Sequence, residues 1–358
     1  MNHTMIEMTP GFLLMSLTSM AIASCFWVRV YIAFARSRQI LDVPNERSSH
    51  TVAVARGGGA VVFALWSIGV VVASSVGSLD VRIALALVGG SSVVAIVGFL
   101  DDMRGLRART RFVAHMVASL VCGVAVLLDL KYLNLGFLML PLGTIGPALA
   151  FLAIVWSINL FNFMDGLDGL AASEAVWALG VGGYALWQAH GQGLAFCAWL
   201  AAAGACGFLV WNLPKAKVFM GDVGSGFFGF LIAAFALIGE VRYGVPVLIW
   251  VILYGVFFVD ATITLIRRFV YGEKWYGAHR SHAFQRLHHG LGWSHARVLA
   301  FVSLINLMLA GLALWVIQDT NQATLALGLA FALLLGFYLL VERVAPMRQP
   351  RLRPNPLH

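Results

Sequence analysis

Residues 82–102 read RIALALVGGSSVVAIVGFLDD. Between Arg82 and Asp101 there is no charge, and the run ends in two adjacent carboxylates. A bilayer's hydrocarbon core is about 30 Å thick and takes about 20 apolar residues to cross. The stretch therefore reads as a membrane span with an acidic end. Ten other runs have the same character: 11–33, 59–77, 112–128, 145–161, 167–189, 193–211, 225–240, 244–265, 297–317 and 323–341. The fold expected is an all-α polytopic integral membrane protein of eleven transmembrane helices, with 129–144 as a linker dipping back toward the surface. The first run lacks a basic leader region and is kept as a span.

Composition agrees. Of 358 residues, 60% are apolar and 11% charged, against about 25% charged in a soluble domain. A disordered chain, a soluble enzyme, a coiled coil and a disulfide scaffold are excluded. The net charge of +8 is read as loops held at an anionic leaflet, with no nucleic acid partner. Cys25, Cys122, Cys197 and Cys206 lie in apolar runs without Cys-x-x-Cys spacing, so no disulfide framework or zinc site is indicated.

Eleven crossings put the two termini on opposite sides. Twenty of the 24 Lys and Arg residues then fall on the side of the C-terminus, the exceptions being Arg29, Arg82, Lys131 and Arg242. The positive-inside rule places that side in the cytoplasm and the N-terminus outside. Residues 1–342 form a single transmembrane catalytic domain, and 343–358 a basic, Pro-rich cytoplasmic tail.

The polar clusters fall on the same side, where carboxylates at membrane depth are costly and usually functional. Asp101-Asp102 stands before Arg104, Arg107 and Arg111. Such a pair can ligate a divalent ion or act as a base beside a phosphate patch, or simply anchor the helix end. Asn159, Asn162, Asp165 and Asp168 recur every third residue. A continuous helix drifts about 60° per such step, so Gly166 and Gly169 are expected to break it and let the four converge. Asp222, in Phe219-Met220-Gly221-Asp222-Val223-Gly224-Ser225, sits at a helix start where ion and anion could meet, or where an Asp merely caps. Arg56-Gly57-Gly58-Gly59 could offer a nest of N–H groups to phosphate, or be a flexible loop end. His279, His282, Arg286 and His289 are spaced 3, 4, 3, one face of a helix. That face suits a diphosphate better than zinc, or lies on the bilayer. Asp260 is either part of the site or an intramembrane ion partner. One reaction uses all these clusters: phosphoryl transfer from a nucleotide donor to a lipid acceptor.

The motifs resemble the polyprenyl-phosphate N-acetylhexosamine-1-phosphate transferases, glycosyltransferase group 4. Five match in order: Asp42-Val43-Pro44-Asn45-Glu46-Arg47-Ser48-Ser49-His50 with Arg56-Gly57-Gly58-Gly59; Asp101-Asp102; residues 159–170; residues 219–225; and His279-Arg280-Ser281-His282. The chain has Ala53 and Ala55 where similar members have prolines nearby. Its His-Arg-Ser-His resembles the O-antigen-initiating subgroup more than the peptidoglycan enzyme. The resemblance implies that Asp222, helped by Asn162, holds Mg²⁺ or Mn²⁺, and that Asp101 and Asp102 bind or deprotonate the lipid phosphate. Asp165, Asp168, Asn212 and Phe219 would line the nucleotide-sugar pocket. Asn45, Arg47, His50, Arg56 and Gly58 would lie near phosphates, and His279, Arg280 and His282 near diphosphate or sugar.

The expected activity is transfer of a sugar 1-phosphate from a UDP-N-acetylhexosamine to undecaprenyl phosphate, releasing UMP. The site faces the cytoplasm of a bacterial inner membrane, and the product starts a cell-surface polysaccharide such as O-antigen. A homodimer stands among the expected partners. The rivals are weaker. An anion or nucleotide-sugar transporter calls for repeated halves and midplane sites. A CDP-alcohol phosphotransferase calls for an Arg absent from Leu170-Ala171-Ala172-Ser173. A scaffold leaves the clusters unexplained.

Overall fold

With no water in the hydrocarbon to satisfy backbone groups, apolar runs of this length become helices. A computed structural model describes residues 8–44, 52–273 and 279–348. In chain order it contains α1 (Pro10–Ser37), a two-residue pair β1 (Leu41–Asp42) and β2 (Val54–Ala55), α2 (Gly59–Ser75), α3 (Val81–Arg104) and α4 (Ala108–Val126). A hairpin β3 (Tyr132–Asn134) and β4 (Met139–Pro141) follows, then α5 (Gly146–Met164), α6 (Leu170–Gln188), α7 (Gln192–Asn212) and α8 (Gly221–Tyr243). The chain closes with α9 (Val247–Leu253), α10 (Gly255–Val270), α11 (Ala283–Leu291), α12 (His295–Gln318) and α13 (Ala323–Val344).

Local sequence sets many of the ends. Asp80 caps α3 by accepting from Arg82 N at 2.7 Å, and the helix stops at Gly105 with φ +66°. Ser294 caps α12 through Arg297 N. Each of the eleven expected spans coincides with a helix, the ninth being α9 and α10 together, bent by 76°. Among the described residues, eight helices are long and apolar enough to cross a membrane, nine with the bent pair. That count is two below the eleven expected. Helix α2 has 17 residues, about 26 Å at 1.5 Å each, short of the hydrocarbon thickness. Helix α6 carries Glu174 and is not among the eight. The 129–144 linker is also more ordered than its reading: it forms the β3–β4 antiparallel hairpin.

Helix α8 is the axis of the molecule. Its residues Gly226–Glu240 are all buried, as expected of a helix apolar on every side. Small residues let the neighbours close on it. A Cβ on Gly90 of α3 would lie 2.3 Å from the Phe230 ring, and one on Gly229 would lie 2.6 Å from Ser157 O of α5. Ser157 Oγ donates to Gly229 O at 2.7 Å. At the far end of α8, Glu240 accepts from Asn134 N and Val247 N, both at 2.7 Å. That clasp ties the β3–β4 hairpin and α9 to the axis. The near end of α8 meets the ends of α3 and α5 and the starts of α2 and α4, and the polar motifs gather there.

Candidate active site

Two backbone crossings build the site. The loop before α2 runs beside the loop before α8: Phe219 N donates to Ala55 O, Gly58 N to Phe219 O and Gly59 N to Met220 O, at 2.8–3.0 Å. Glycine is required at this crossing. Gly57 and Gly221 have φ of +86° and +75°, and a Cβ on Gly59 would lie 2.3 Å from Gly224 Cα. The N–H groups of Gly58 and Gly59 are thus engaged inside the protein. This corrects the reading of a phosphate nest: Gly58 serves close packing, with Val218 and Phe208 against it.

The crossing brings three carboxylates and two guanidiniums together. Asp102, whose side chain is fully buried, accepts from Asp222 N at 2.9 Å and Val223 N at 3.2 Å, so α3 caps α8. Arg56 donates from Nε to Asp102 at 2.6 Å and from a terminal nitrogen to Asp222 at 3.1 Å. Arg111, in the first turn of α4, donates to Asp101 at 2.8 Å and to Asp222 at 2.9 Å. Asp101 also accepts from Leu106 N. Burial works against the charge on Arg56, but Asp102, Asp222 and Asp42 outweigh it and raise its pKa above the ordinary arginine value. Both oxygens of Asp222 therefore accept from arginine.

The break after α5 lies alongside. The helix ends at Met164 and α6 begins at Leu170 after Gly169, whose φ is +75°. The four polar residues then separate rather than converging at one point. Asn162 donates to Ser225 Oγ of α8 at 2.9 Å. Asp165 lies in the field of Asp222 and Asp102; burial first, then those charges, push it up to about 7. Asp168 faces elsewhere, accepting from Ala216 N at 3.1 Å with His295 Nδ1 at 3.1 Å. It lines a cleft of about 470 Å³ with Lys215, Phe219, Ser294 and His295. Asn159 turns back to Val155 O. Asn212 is a clasp, accepting from Gly169 N and donating to Val218 O.

The basic cluster also differs from its reading. Helix α11 begins at Ala283, with His282 as its cap residue, so His279 precedes the helix and shares no helical face with Arg286. Arg286 is buried and paired at 2.6 Å with Glu342 of α13, which also holds Arg267. Burial first, then Arg268, push His279 down to about 3; burial first, then Arg280, push His289 down to about 4. Both environments disfavour the charged ring. The first turn of α11 still reaches the site, because a Cβ on Gly166 would meet Gln285 and Phe284 at 3.1–3.4 Å. Asn45, Arg47 and His50 lie outside the described residues.

Comparison with known proteins now bears on this geometry. The model of glycosyl transferase family 4 matches residues 84–240. A decaprenyl-phosphate N-acetylglucosaminephosphotransferase of Mycolicibacterium smegmatis is 30% identical over 85% of this chain and 81% of its own. The chain belongs to glycosyl transferase family 4, the polyprenyl-phosphate N-acetylhexosamine-1-phosphate transferases. Another similar protein is a probable undecaprenyl-phosphate N-acetylglucosaminyl 1-phosphate transferase of Bacillus subtilis, 28% identical over 84% of each chain. A phospho-N-acetylmuramoyl-pentapeptide-transferase of Moorella thermoacetica is 34% identical over 60% of this chain and 70% of its own. The family match spans Asp101, Asp102, Asp165, Asp168 and Asp222. Sequence reasoning missed Arg111, Ser225 and His295 as site members. Arg111 was visible as one of several arginines behind Asp101-Asp102; only the fold singles it out.

A divalent ion is implied by the family. Among the described residues no three His, Cys, Asp or Glu side chains form a metal cage. Asp222 nevertheless offers carboxylate oxygens, and Asn162 gives its NH₂ to Ser225, which leaves its amide oxygen for an ion. Mg²⁺ is commonly held by one or two carboxylates, with phosphates and water completing the shell. The residues fit that mode.

Proposed function

We propose that this protein transfers an N-acetylhexosamine 1-phosphate from a UDP-sugar to a polyprenyl phosphate, undecaprenyl phosphate in the cell, and releases UMP. The product is the first lipid-linked intermediate of a cell-surface polysaccharide such as O-antigen. The observation that carries the reading is Asp222, on the first turn of α8, shared by Arg56 and Arg111 beside Asp101, Asp102 and Asp165 in a family 4 chain. Two arginines that bridge carboxylates are placed to hold phosphate oxygens in the same way.

Asp222 and Asn162 would hold Mg²⁺ or Mn²⁺, which supplies Lewis-acid polarisation of the phosphates. The protein's own residues position and neutralise. Asp101 or Asp102 takes the proton of the lipid phosphate or orients it, and Arg56 and Arg111 balance the charge on the transferring group. Asp168 and Phe219 line the cleft proposed for the nucleotide. Arg280 and His282 act near the diphosphate or sugar. The phosphoryl oxygen of the lipid attacks the β-phosphorus, the bond to UMP breaks, and catalysis is mainly positioning and charge neutralisation.

The polar ends face the cytoplasm of the bacterial inner membrane, where nucleotide sugars are available, and the N-terminus lies outside. The test is incubation of the purified full chain with polyprenyl phosphate and a panel of UDP-N-acetylhexosamines, following UMP. The expected result is lipid-dependent UMP release with one or two sugars and none without Mg²⁺ or Mn²⁺. Absence of lipid-dependent release with every sugar refutes the proposal.

A further inference from the structure

Asp260 is buried, with 3% of its surface exposed, six residues into α10. Arg267, seven residues on, is bound to Glu342 instead. The Asp260 carboxylate is directed at the start of α11. One oxygen accepts from Ala283 N at 2.8 Å and from Thr264 Oγ1 at 3.0 Å; the other accepts from Phe284 N at 3.3 Å. The first oxygen also stands 3.5 Å from Nδ1 of His282, a side chain 2% exposed. Among the described residues, no other group within hydrogen-bond distance serves that ring nitrogen.

We propose that Asp260 is a positioning residue that fixes the ring tautomer and orientation of His282. The proposal rests on the reading that His282 works at the transfer site. A carboxylate at Nδ1 keeps the proton on that nitrogen and leaves Nε2 with the lone pair. Contacts of this kind are often long without substrate and tighten in the loaded complex. The surroundings hold the ring still. Phe284 stacks on it at 5.7 Å and 9°, and His279 lies 4.8 Å away. Helix α11 is pinned a second time by Arg286 on Glu342 and on Ala345 O. The same carboxylate thus sets both the helix start and the histidine that precedes it. Gln285, one turn on, abuts Gly166 beside Asp165, so a shift of this turn is felt at the carboxylate cluster.

A carboxylate that only capped α11 would affect folding and nothing else. Two measurements separate the roles. In the ¹⁵N-histidine-labelled full chain in detergent, the resonance lost in His282→Gln should show its proton on Nδ1; a proton on Nε2 overturns the proposal, and this measurement needs no variant of Asp260. In a double-mutant cycle read per folded protein, Asp260→Asn should lower kcat about 10–100-fold with KM nearly unchanged, the range found for such supporting carboxylates. The amide keeps an oxygen facing Ala283 N but loses the negative charge that holds the proton on Nδ1. In the His282→Gln background the same substitution should leave kcat within about twofold, because the residue it acts through is gone. Losses that simply multiply refute coupling through His282. An unchanged kcat in His282→Gln alone removes His282 from the chemistry and refutes the premise, a result distinct from multiplying losses.

Discussion

Gly98→Ala probes the contact on which the site depends. Gly98 of α3 faces the start of α8, and a Cβ built there would lie 2.6 Å from Asp222 C and O and from Val223 N. Ordinary contact begins near 3.4 Å, so the two helices must part by about 0.8 Å, the difference between those distances. Backbone forms the obstacle on both sides, and no side chain can rotate away. Asp102, one turn further along α3, holds Asp222 N at 2.9 Å and Val223 N at 3.2 Å. The same displacement takes both beyond hydrogen-bond range. Overpacking costs about 1–3 kcal/mol, while Gly→Ala inside a helix returns about 1 kcal/mol. Net destabilisation should be about 0–2 kcal/mol by those two terms. Activity should suffer more, because a misplacement near 1 Å can cost about 100-fold. The assay is UMP release per folded protein with a thermal unfolding curve on the same sample. Gly123→Ala on α4, whose Cβ would meet nothing within 4 Å, is the control: activity should not change, and stability should rise by up to about 1 kcal/mol. Gly98→Ala within about threefold of wild-type activity would refute the reasoning, since the misplacement it predicts is worth far more.

Asp222→Ala should abolish turnover yet fold and insert, because Arg56 keeps Asp102 and Arg111 keeps Asp101; near-normal UMP release would make Asp222 a structural cap. Chelation should silence the wild type, with Mg²⁺ or Mn²⁺ restoring it. Asp165, pushed up to about 7 by burial and then by Asp222 and Asp102, favours its protonated form when folded. Stability should therefore fall as pH rises from about 4, the unfolded value, through 7, while the ionised form grows; kcat/KM should change across pH 7, and Asp165→Asn should remove that limb. Arg286→Ala should cost about 1.5–3 kcal/mol for the lost charge-assisted hydrogen bond, since Glu342 keeps Arg267, while kcat per folded protein stays unchanged because Asp260 still holds the start of α11; a selective fall in kcat would return Arg286 to the site. A cysteine introduced at Glu273 should be labelled by membrane-impermeant reagent only after the cytoplasmic face is opened, and labelling of intact cells would reverse the orientation.

The helices were legible because the bilayer imposes one rule, an apolar run of sufficient length, and each expected span is a helix. The break between Asp165 and Leu170 was legible from its glycines. What escaped depends on partners distant in sequence. Nothing near Asp102 says that it caps a helix starting 119 residues later. The 3, 4, 3 spacing from His279 to His289 assumed a continuous helix, but His282 has extended backbone, with φ −61° and ψ 147°, so the period starts only at Ala283. Arg286 looked like a site cation because Glu342 lies on the last helix. The β3–β4 hairpin had a local signal, Asn134 and Gly136 before Pro141, with Gly136 at φ +88°, which the apolar surroundings obscured.

The resting pairing at α8 also shapes the energetics of the proposed reaction. Asp101, Asp102 and Asp222 share only Arg56 and Arg111, three carboxylates to two guanidiniums, so each arginine is needed where it stands. The Asp222 side chain is only 16% exposed, so losing its partners would leave a largely desolvated carboxylate, and an arginine cannot simply let go of it. It can exchange one oxygen acceptor for another, because phosphate offers the same charge-assisted geometry as carboxylate. Asp222 then needs a new positive neighbour, which is the role proposed for the divalent ion. Phosphate and ion should accordingly bind together more tightly than either alone, and an arginine-to-lysine change should weaken both, because one ammonium cannot span two acceptors as a guanidinium does.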